Sequence, residues 1–296
     1  MIRYVRHSEI DRVKWNSRIA DCSCPLIYAE SRYLDITAPG WDALISGDYE
    51  AVFPLPHRSK WGIKYVFQPA FCQQLGVFGA HDATPFLEAI PTEFRLIDLQ
   101  LNSGNIASVG KQMKRPNLVL DLSHPIELIR KNYSDNTRRN LRKTEAEGLR
   151  HDTTGELAEL IRLFREHRGK EITMGPDDYL LLEKLHTDPG LSRRFELQCI
   201  RNAEGKLLAG ALFLRSSHGW IFLFSAIHPE GRKTGAMSAV IDRFIERHAG
   251  EATILDFEGS SDPNLHRFYK SFGSSETVYL QVRINRLPLV LRLFKS

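Results

Sequence analysis

Apolar and polar positions follow the same succession twice along this chain. Residues 50–102 run EAVFPLPHRSKWGIKYVFQ, a loop, the short apolar-periodic PFLEAIP and then RLIDLQLN. Residues 206–260 run KLLAGALFLRSSHGWIFLFSA, a loop, the long AMSAVIDRFIERHA and then TILDFEGS. Alternation at every second position predicts strands, and apolar residues three and four apart predict helices. Each copy therefore reads as strand, tight turn, strand, loop, helix, strand. A repeat this long points to two copies of one domain rather than to a solenoid of many short units. Outside the copies, IRYVR reads as a strand, and Ser8 as the N-cap of a helix reaching about Ile19. A second helix is expected near Ile27–Leu34. The segment 106–121 ends in the strand LVLDLS. Ser123 and Pro125 then predict one helix from Pro125 to about Glu147, stopped by Gly148. ELAELIRLFREH and DDYLLLEKLH are further helices, SETVYLQVRIN is a last strand, and the apolar tail LPLVLRLFKS reads as a packed terminal helix. The class is α/β with mixed central sheets, in two domains at 1–123 and 124–296.

Length agrees, since 296 residues suffice for about two domains. An apolar fraction of 42% excludes a disordered chain. No run approaches the roughly 18 apolar residues of a membrane helix. The start, MIRYVRHSEIDRVKW, lacks the apolar core of a signal peptide. Cys22, Cys24, Cys72 and Cys199 have neither zinc spacing nor the density of a disulfide framework. A cytoplasmic location, reduced thiols and no metal are expected. No Walker, HExxH, GxSxG or Rossmann signature occurs.

Four constellations could carry chemistry. In HPEGRKTGAMSAVIDRFIE a strand runs through a basic, glycine-containing loop into a helix. The helix start offers unpaired N–H groups and the positive end of its dipole, Gly231 and Gly235 allow close approach, and Arg232 and Lys233 add charge. This is either a pyrophosphate cradle or a basic surface turn. The first copy has GAHDATP at this place, with Asp82 and no Lys or Arg. Only the second copy is therefore expected to hold an anion. In LDFEGSSDPNLHRFYKSFG, strand alternation puts Asp256 and Glu258 on one face, and Tyr269 lies in the next helix. A carboxylate and a phenol there suit base and acid, or a turn cap and a core aromatic. In KNYSDNTRRNLRKTEAEGLR, Lys131, Arg138 and Arg142 form a helical stripe with Arg139 and Lys143 beside it. Asn132, Asn136 and Asn140 are weak helix formers about a turn apart. That segment is a substrate- or anion-binding wall or a solvated helix. Last, His57, Arg58, Lys60 and Lys64 crowd one hairpin turn, with Gln68, Gln73 and Gln74 nearby among aromatics. Lys60, Gln73 and Gln74 either face a polar substrate or belong to a solvated tip.

Residues 206–273 resemble the GNAT acyltransferase core, in which a strand meets an R/Q-x-x-G-x-G/A loop and a helix. Arg232-Lys233-Thr234-Gly235 fits that loop, with Met237 at its final small position, and FYKSFG at 268–273 fits the family's last short helix. The doubled layout, NTRRNLRK and FYKSFG are similar to the tandem branch that includes the Fem peptidyltransferases, over nearly the whole chain. The resemblance implies two tandem GNAT-like domains, with the C-terminal tail returning to the first. It implies acyl-CoA, above all acetyl-CoA, as co-substrate, its phosphates held by Arg232, Lys233, Thr234, Gly235 and Ala236. Glu258 or Asp256 would take the proton of an amine acceptor, a small molecule or peptide, and Tyr269 would protonate the leaving group. The acceptor would enter between the domains, near Arg138, Arg139, Arg142 and the 57–74 hairpin. Fem enzymes take their amino acid from aminoacyl-tRNA, so tRNA is the alternative donor, and a non-catalytic binding protein on the same scaffold is the other alternative. They tend to carry Lys where this chain has Tyr269.

Overall fold

The computed structural model of the protein describes residues 1–167, 174–259 and 262–288. Its contacts form two compact units: residues 1–116 with the described residues from 278 onward, and residues 117–277. This differs from a single cut at 123/124, because the last strand goes back to the first unit. From residue 289 the apolar tail lies outside the described residues, as do 168–173 and 260–261. Among the described residues no helix is long and apolar enough to cross a membrane.

In the first unit β1 (Ile2–Val5) is followed by α1 (Arg12–Ala20) and α2 (Ser31–Thr37). The cap of α1 is Asp11 and not Ser8. The Asp11 carboxylate accepts from the Val13 and Lys14 amides at 3.0 and 3.1 Å, while Ser8 sits in a single 3-10 turn, His7–Glu9. Residues Ile27–Ala29 are likewise one 3-10 turn, so α2 starts later than the periodicity suggested. β2 (Asp42–Ser46) pairs antiparallel with β1 and with β3 (Ala51–Leu55). Pro56 then interrupts the chain. β4 (His57–Lys60) leaves that three-stranded sheet and pairs antiparallel with β5 (Ile63–Val66). Trp61 and Gly62 make the turn with φ of 52° and 76°, the positive pair that a tight hairpin needs. α3 (Thr84–Ala89) leads to β6 (Phe94–Gln100), which lies parallel to β5.

β7 (Lys111–Asp121) leads the chain into the second unit. There α4 (Ile126–Lys131), α5 (Asp135–Ala146), β8 (Arg150–Asp152), α6 (Leu157–His167) and α7 (Pro176–Thr187) precede β9 (Phe195–Arg201). β10 (Leu207–Arg215), β11 (Trp220–Ile227), α8 (Pro229–Thr234), α9 (Ala236–His248), β12 (Ile254–Asp256) and α10 (Pro263–Lys270) follow. The strands of this unit are ordered β7-β12-β11-β10-β9-β8. As in the first copy, an antiparallel hairpin, β10–β11, is followed by a helix and a parallel strand, β12. α9 covers the sheet with Val240, Ile241, Phe244 and Ile245, all fully buried, and Phe244 stacks on Phe213 at 3.6 Å. Burial of such aromatic area is the main stabilising term here.

The single helix expected over 125–147 is two helices. Ser134 breaks it: its side chain accepts from the Thr137 amide and its own amide donates to the Ser271 carbonyl at 2.8 Å. Thr137 Oγ1 meets Ser271 Oγ at 2.7 Å. The kink thus seats α5 on the end of α10, a partner far away in sequence. β13 (Ser275–Asn285) finally returns to the first unit, where Gln281–Asn285 pair antiparallel with β6.

Candidate active site

β11 and β12 are in parallel register only at Trp220↔Leu255 and Ile221↔Asp256. β12 then stops, while β11 runs on to Ile227. The two strands part, and among the described residues β11 has no strand partner on that edge beyond Ile221. A bulge sets which side chains border that gap. Phe213 faces Phe222 and Leu212 faces Phe224, so Leu223 is the extra residue. Phe222, Ser225 and Ile227 consequently all line one cleft of about 410 Å³. Its other walls are Gly231, Arg232, Gly235, Met237 and Ser238 from the α8–α9 junction, Asn140 from α5, and Asp262, Asn264, Leu265, Phe268 and Tyr269 at α10.

The junction is not the open loop suggested by PEGRKTGA. Residues 229–234 form α8, capped by His228, whose Nδ1 accepts from the Glu230 amide at 3.1 Å. Gly235 ends α8 with φ 77° and begins α9, and no side chain caps α9. The helix start therefore lacks a built-in acceptor, the condition under which it attracts an anion. Glycine is required here twice over. The φ is left-handed, and a Cβ would lie 2.8 Å from Asn140 Cβ and 2.9 Å from its carbonyl oxygen. Gly231 is similarly pressed against β10, where a Cβ would come within 2.3 Å of the Leu208 carbonyl oxygen. α5 is tied to the junction by Thr144 Oγ1, which donates to the Thr234 carbonyl at 3.1 Å.

Of the five residues expected to hold phosphates, Arg232 and Gly235 line the cleft. Thr234 turns its hydroxyl back onto the carbonyls of Glu230 and Gly231, Ala236 is fully buried, and Lys233 is exposed outside the lining. Tyr269 borders the cleft at 8% exposure, parallel to Phe257 at 5.0 Å and edge-on to Phe222 at 5.6 Å.

Asp256 is placed differently. Leu255 and Phe257 pack in one cluster with Phe222 and Tyr269, so strand alternation turns Asp256 to the other face of the sheet. The Asp256 carboxylate accepts from the Glu258 amide at 2.7 Å and from Asn117 Nδ2 at 3.1 Å. Enclosure of this carboxyl pushes its pKa up to about 6, with those two hydrogen bonds opposing the rise. The expectation that Asp256 and Glu258 share a strand face fails, because the strand ends at Asp256. Glu258 adopts φ 52° in a turn that the Asp256 side chain closes.

The stripe on α5 divides. Asn140 faces the cleft, whereas Arg138 and Arg142 line a separate groove between α5 and α9, and Arg139 is exposed and borders neither. The hairpin residues belong to the first unit. Lys60 lies over the exposed Trp61 ring at 4.9 Å. Gln74 is buried, accepts from the Ser103 amide at 2.9 Å and donates to Gln73 at 2.7 Å, so it joins loops. In the first copy's counterpart of the junction, Asp82 accepts from the Thr84 amide at 2.9 Å, and hydrogen bonding to Thr84, the side chain first and this amide second, holds its carboxyl below the usual range. A carboxylate already occupies the start of α3. Arg18 nonetheless borders a cavity with Gly79, Ala80 and His81 there.

Sequence reasoning passed over Asn117, Ser225 and Asp262. A signal existed for Ser225, the one polar residue within WIFLFSAI. Asp262 N-caps α10, accepting from the Asn264 amide at 2.8 Å, just before Pro263, a recognisable helix start.

Residues 131–270 match the model of the acetyltransferase (GNAT) domain. The fold of nearly the whole chain is that of FemX, at TM-score 0.63 and 12% identity, over 97% of this chain and 99% of that one. A conserved protein of unknown function from Bacteroides thetaiotaomicron gives 0.61 at 9% identity, over 96% and 100%. The C-terminal domain of a lysylphosphatidylglycerol synthetase candidate from Agrobacterium fabrum gives 0.55 at 14%, over 96% of each chain. No curated protein matches the chain in sequence. The protein is thus a tandem GNAT-like fold whose second unit carries a transferase domain of the GNAT type.

Proposed function

We propose that residues 117–277 catalyse N-acyl transfer from an acyl-CoA to an amine. The observation that supports this best is one cleft, opened by two parting parallel strands, that gathers Arg232, the Gly235 helix start and Tyr269. The donor's pyrophosphate would sit at the α8–α9 junction, drawn by Arg232 and the uncapped first turn of α9. Its amide-bearing arm would follow the edge of β11 that β12 leaves without a strand partner. The thioester then reaches the parting of the strands, with Tyr269 on its own side and Asp256 on the other. The amine nitrogen attacks the thioester carbon and the C–S bond breaks. The nitrogen's proton passes through water to Asp256, whose enclosed carboxyl is not part of the cleft lining, and Tyr269 gives its proton to the departing thiolate. A carboxyl poised near 6 is a serviceable base at neutral pH. Glu258, next to Asp256 in the same turn, is the alternate base.

Titration with coenzyme A tests donor binding first, and acetyl-CoA turnover with a panel of amines tests the chemistry. Arg232→Ala should raise the donor KM about tenfold or more, as expected for a lost charged contact. Tyr269→Phe should lower kcat by about a hundredfold or more if its proton is used. Unaltered kinetics in both variants would refute the assignment. The whole-chain likeness to FemX favours a second reading, an aminoacyl-tRNA donor. That reading requires an affinity for tRNA that falls steeply with salt, because each phosphate contact releases counterions.

A further inference from the structure

The tip of the β4–β5 hairpin, in the first unit, holds an indole out in solvent. Trp61 is 85% exposed, while Trp15, Trp41 and Trp220 are 8% or less. Indoles are mostly covered in folded proteins, so a bare one among cations points to a partner. We propose that this tip docks onto a lipid bilayer that carries anionic headgroups. The proposal does not depend on the acyl-transfer reading.

Strand pairing sorts the hairpin's side chains onto two faces. Arg58 lies opposite Tyr65 and Lys60 opposite Ile63, so these four share a face, and His57, Ser59, Lys64 and Val66 share the other. The second face serves the fold: Val66 is buried, and His57 Nε2 meets the Asp42 carboxylate at 2.9 Å. The first face is cationic and aromatic. The Arg58 guanidinium lies 4.4 Å over the Phe67 ring, and Lys60 Nζ lies 4.9 Å over Trp61. A Cβ on Gly62 would meet nothing within 4 Å, so the tip stands clear of the body. Arg58 and Lys60 have no ion pair among the described residues. Lys64 pairs with Glu93 at 2.8 Å. Arg95 is the extra residue where β6 bulges beside Lys64 and Tyr65, and it is exposed. Four cations thus stand with one carboxylate on the hairpin and the Glu93–Arg95 stretch beside it.

Cations on an edge strand also keep other chains from pairing with it, and β4 is an edge strand. That duty does not call for an indole at the tip. The headgroup layer of a bilayer does: it takes the apolar body of the ring, while flexible lysine and arginine stems carry their charges up to the phosphates. Single-stranded nucleic acid is the rival anion. It binds by stacking bases on aromatic faces along a groove that its backbone follows. Here each ring already has a cation over one face, and a projecting tip offers no groove. The excess of positive charge fits the anionic lipid surface, where each lysine or arginine strengthens attachment about fivefold.

The test mixes the full chain with phosphatidylcholine vesicles, with and without phosphatidylglycerol, and follows tryptophan emission and co-sedimentation. On the anionic vesicles emission should move to shorter wavelength and lose its quenching by acrylamide, because Trp61 is the indole that solvent reaches. Affinity should be at least about tenfold greater than for phosphatidylcholine alone, and should collapse in about 1 M salt, where the screening length falls to about 3 Å. Co-sedimentation should weaken about tenfold or more in Trp61→Ala, which removes the apolar area of the ring. It should weaken roughly twenty-five-fold in Arg58→Gln/Lys60→Gln, at about fivefold per cation. Lys184→Gln/Arg193→Gln removes two exposed cations of the second unit and should bind as wild type does. Melting temperatures of all three variants should match wild type, since the changes are on the surface. Equal affinity for the two kinds of vesicle, or unshifted emission on the anionic ones, would overturn the proposal. So would an equal loss in the two double variants, which would leave only net charge at work. Displacement of the vesicles by a single-stranded oligonucleotide that binds more tightly and quenches Trp61 would overturn it in favour of nucleic acid.

Discussion

Gly235→Ala is the substitution whose cost can be worked most directly from the geometry. Two terms add. An L-residue at φ 77° pays about 1–2 kcal/mol for the left-handed conformation. The new methyl would also stand 2.8 Å from Asn140 Cβ, 2.9 Å from its carbonyl oxygen and 3.0 Å from its Cα. Two of those three atoms are backbone, so α5 itself must shift, an overpacking that costs roughly 1–3 kcal/mol. The total of about 2–5 kcal/mol corresponds to a fall in melting temperature of roughly 5–15 °C for a unit of this size. Gly205→Ala is the matched control. Its φ is 83°, in the same unit, but nothing lies within 4 Å of the added methyl. It should lose only the conformational term, about 1–2 kcal/mol. Calorimetry of both variants, with coenzyme A affinity measured on each, separates strain from packing. Donor affinity should drop for Gly235→Ala alone, because only that glycine lies where α5 meets the helix start. If the two variants melt together, the contact between α5 and the junction has no energetic weight and the account of the cleft's wall is wrong.

Three further outcomes follow from individual residues. Burial would lower the pKa of His248, but hydrogen bonds to Glu196 at 3.0 Å and Glu251 at 2.8 Å outweigh it and hold it above 6.5. Its stabilisation is complete below the unfolded value and is lost as pH rises through the raised one, so wild type should lose more stability than His248→Gln as pH is raised above the ordinary imidazole value in urea titrations. Asp256 acting as base requires the ionised form, so kcat/KM should climb as pH passes through about 6, and Asp256→Asn should abolish that limb; a limb that persists in the variant assigns it elsewhere. Trp61 is 85% exposed while Trp15, Trp41 and Trp220 are 8% or less, so Trp61→Phe should remove most of the emission that acrylamide can quench.

The repeat was legible because it rests on local signals: alternation in KLLAGALFLR and WIFLFSAI, three-four spacing in AVIDRFIE. The GNAT-like character of 206–273 was legible for the same reason, since Arg232, Gly235 and Tyr269 lie in one continuous stretch and the fold brings them to one cleft. What sequence could not supply came from partners distant along the chain. The break at Ser134 depends on Ser271, and helix propensity alone carries the pattern straight through it. The face of Asp256 depends on where β12 stops, and a three-residue strand leaves alternation little to act on. Arg138 and Asn140 sit two residues apart, yet on a helix two residues is a turn of the wheel large enough to put them in different cavities. The glutamines of the hairpin looked like ligand contacts because amides read the same whether they bind a substrate or, as Gln74 does, a neighbouring loop.

The return of β13 has a consequence for how the protein is made. β6 lies between β5 on one side and residues Gln281–Asn285 on the other. During synthesis the whole of 117–277 must leave the ribosome before that second neighbour exists, a delay of roughly 10–30 s at ordinary elongation rates. Through that interval the backbone of Phe94–Gln100 is an open edge, carrying Leu96, Ile97 and Leu99, and such an edge is a template for pairing with other chains. The second unit, continuous in sequence, can meanwhile close on its own contacts. Chains released just short of residue 278 would therefore emerge with that strand still adhesive, and β7 too would lack its β13 neighbour, so their fate would be decided by chaperones rather than by the stability of the part already made.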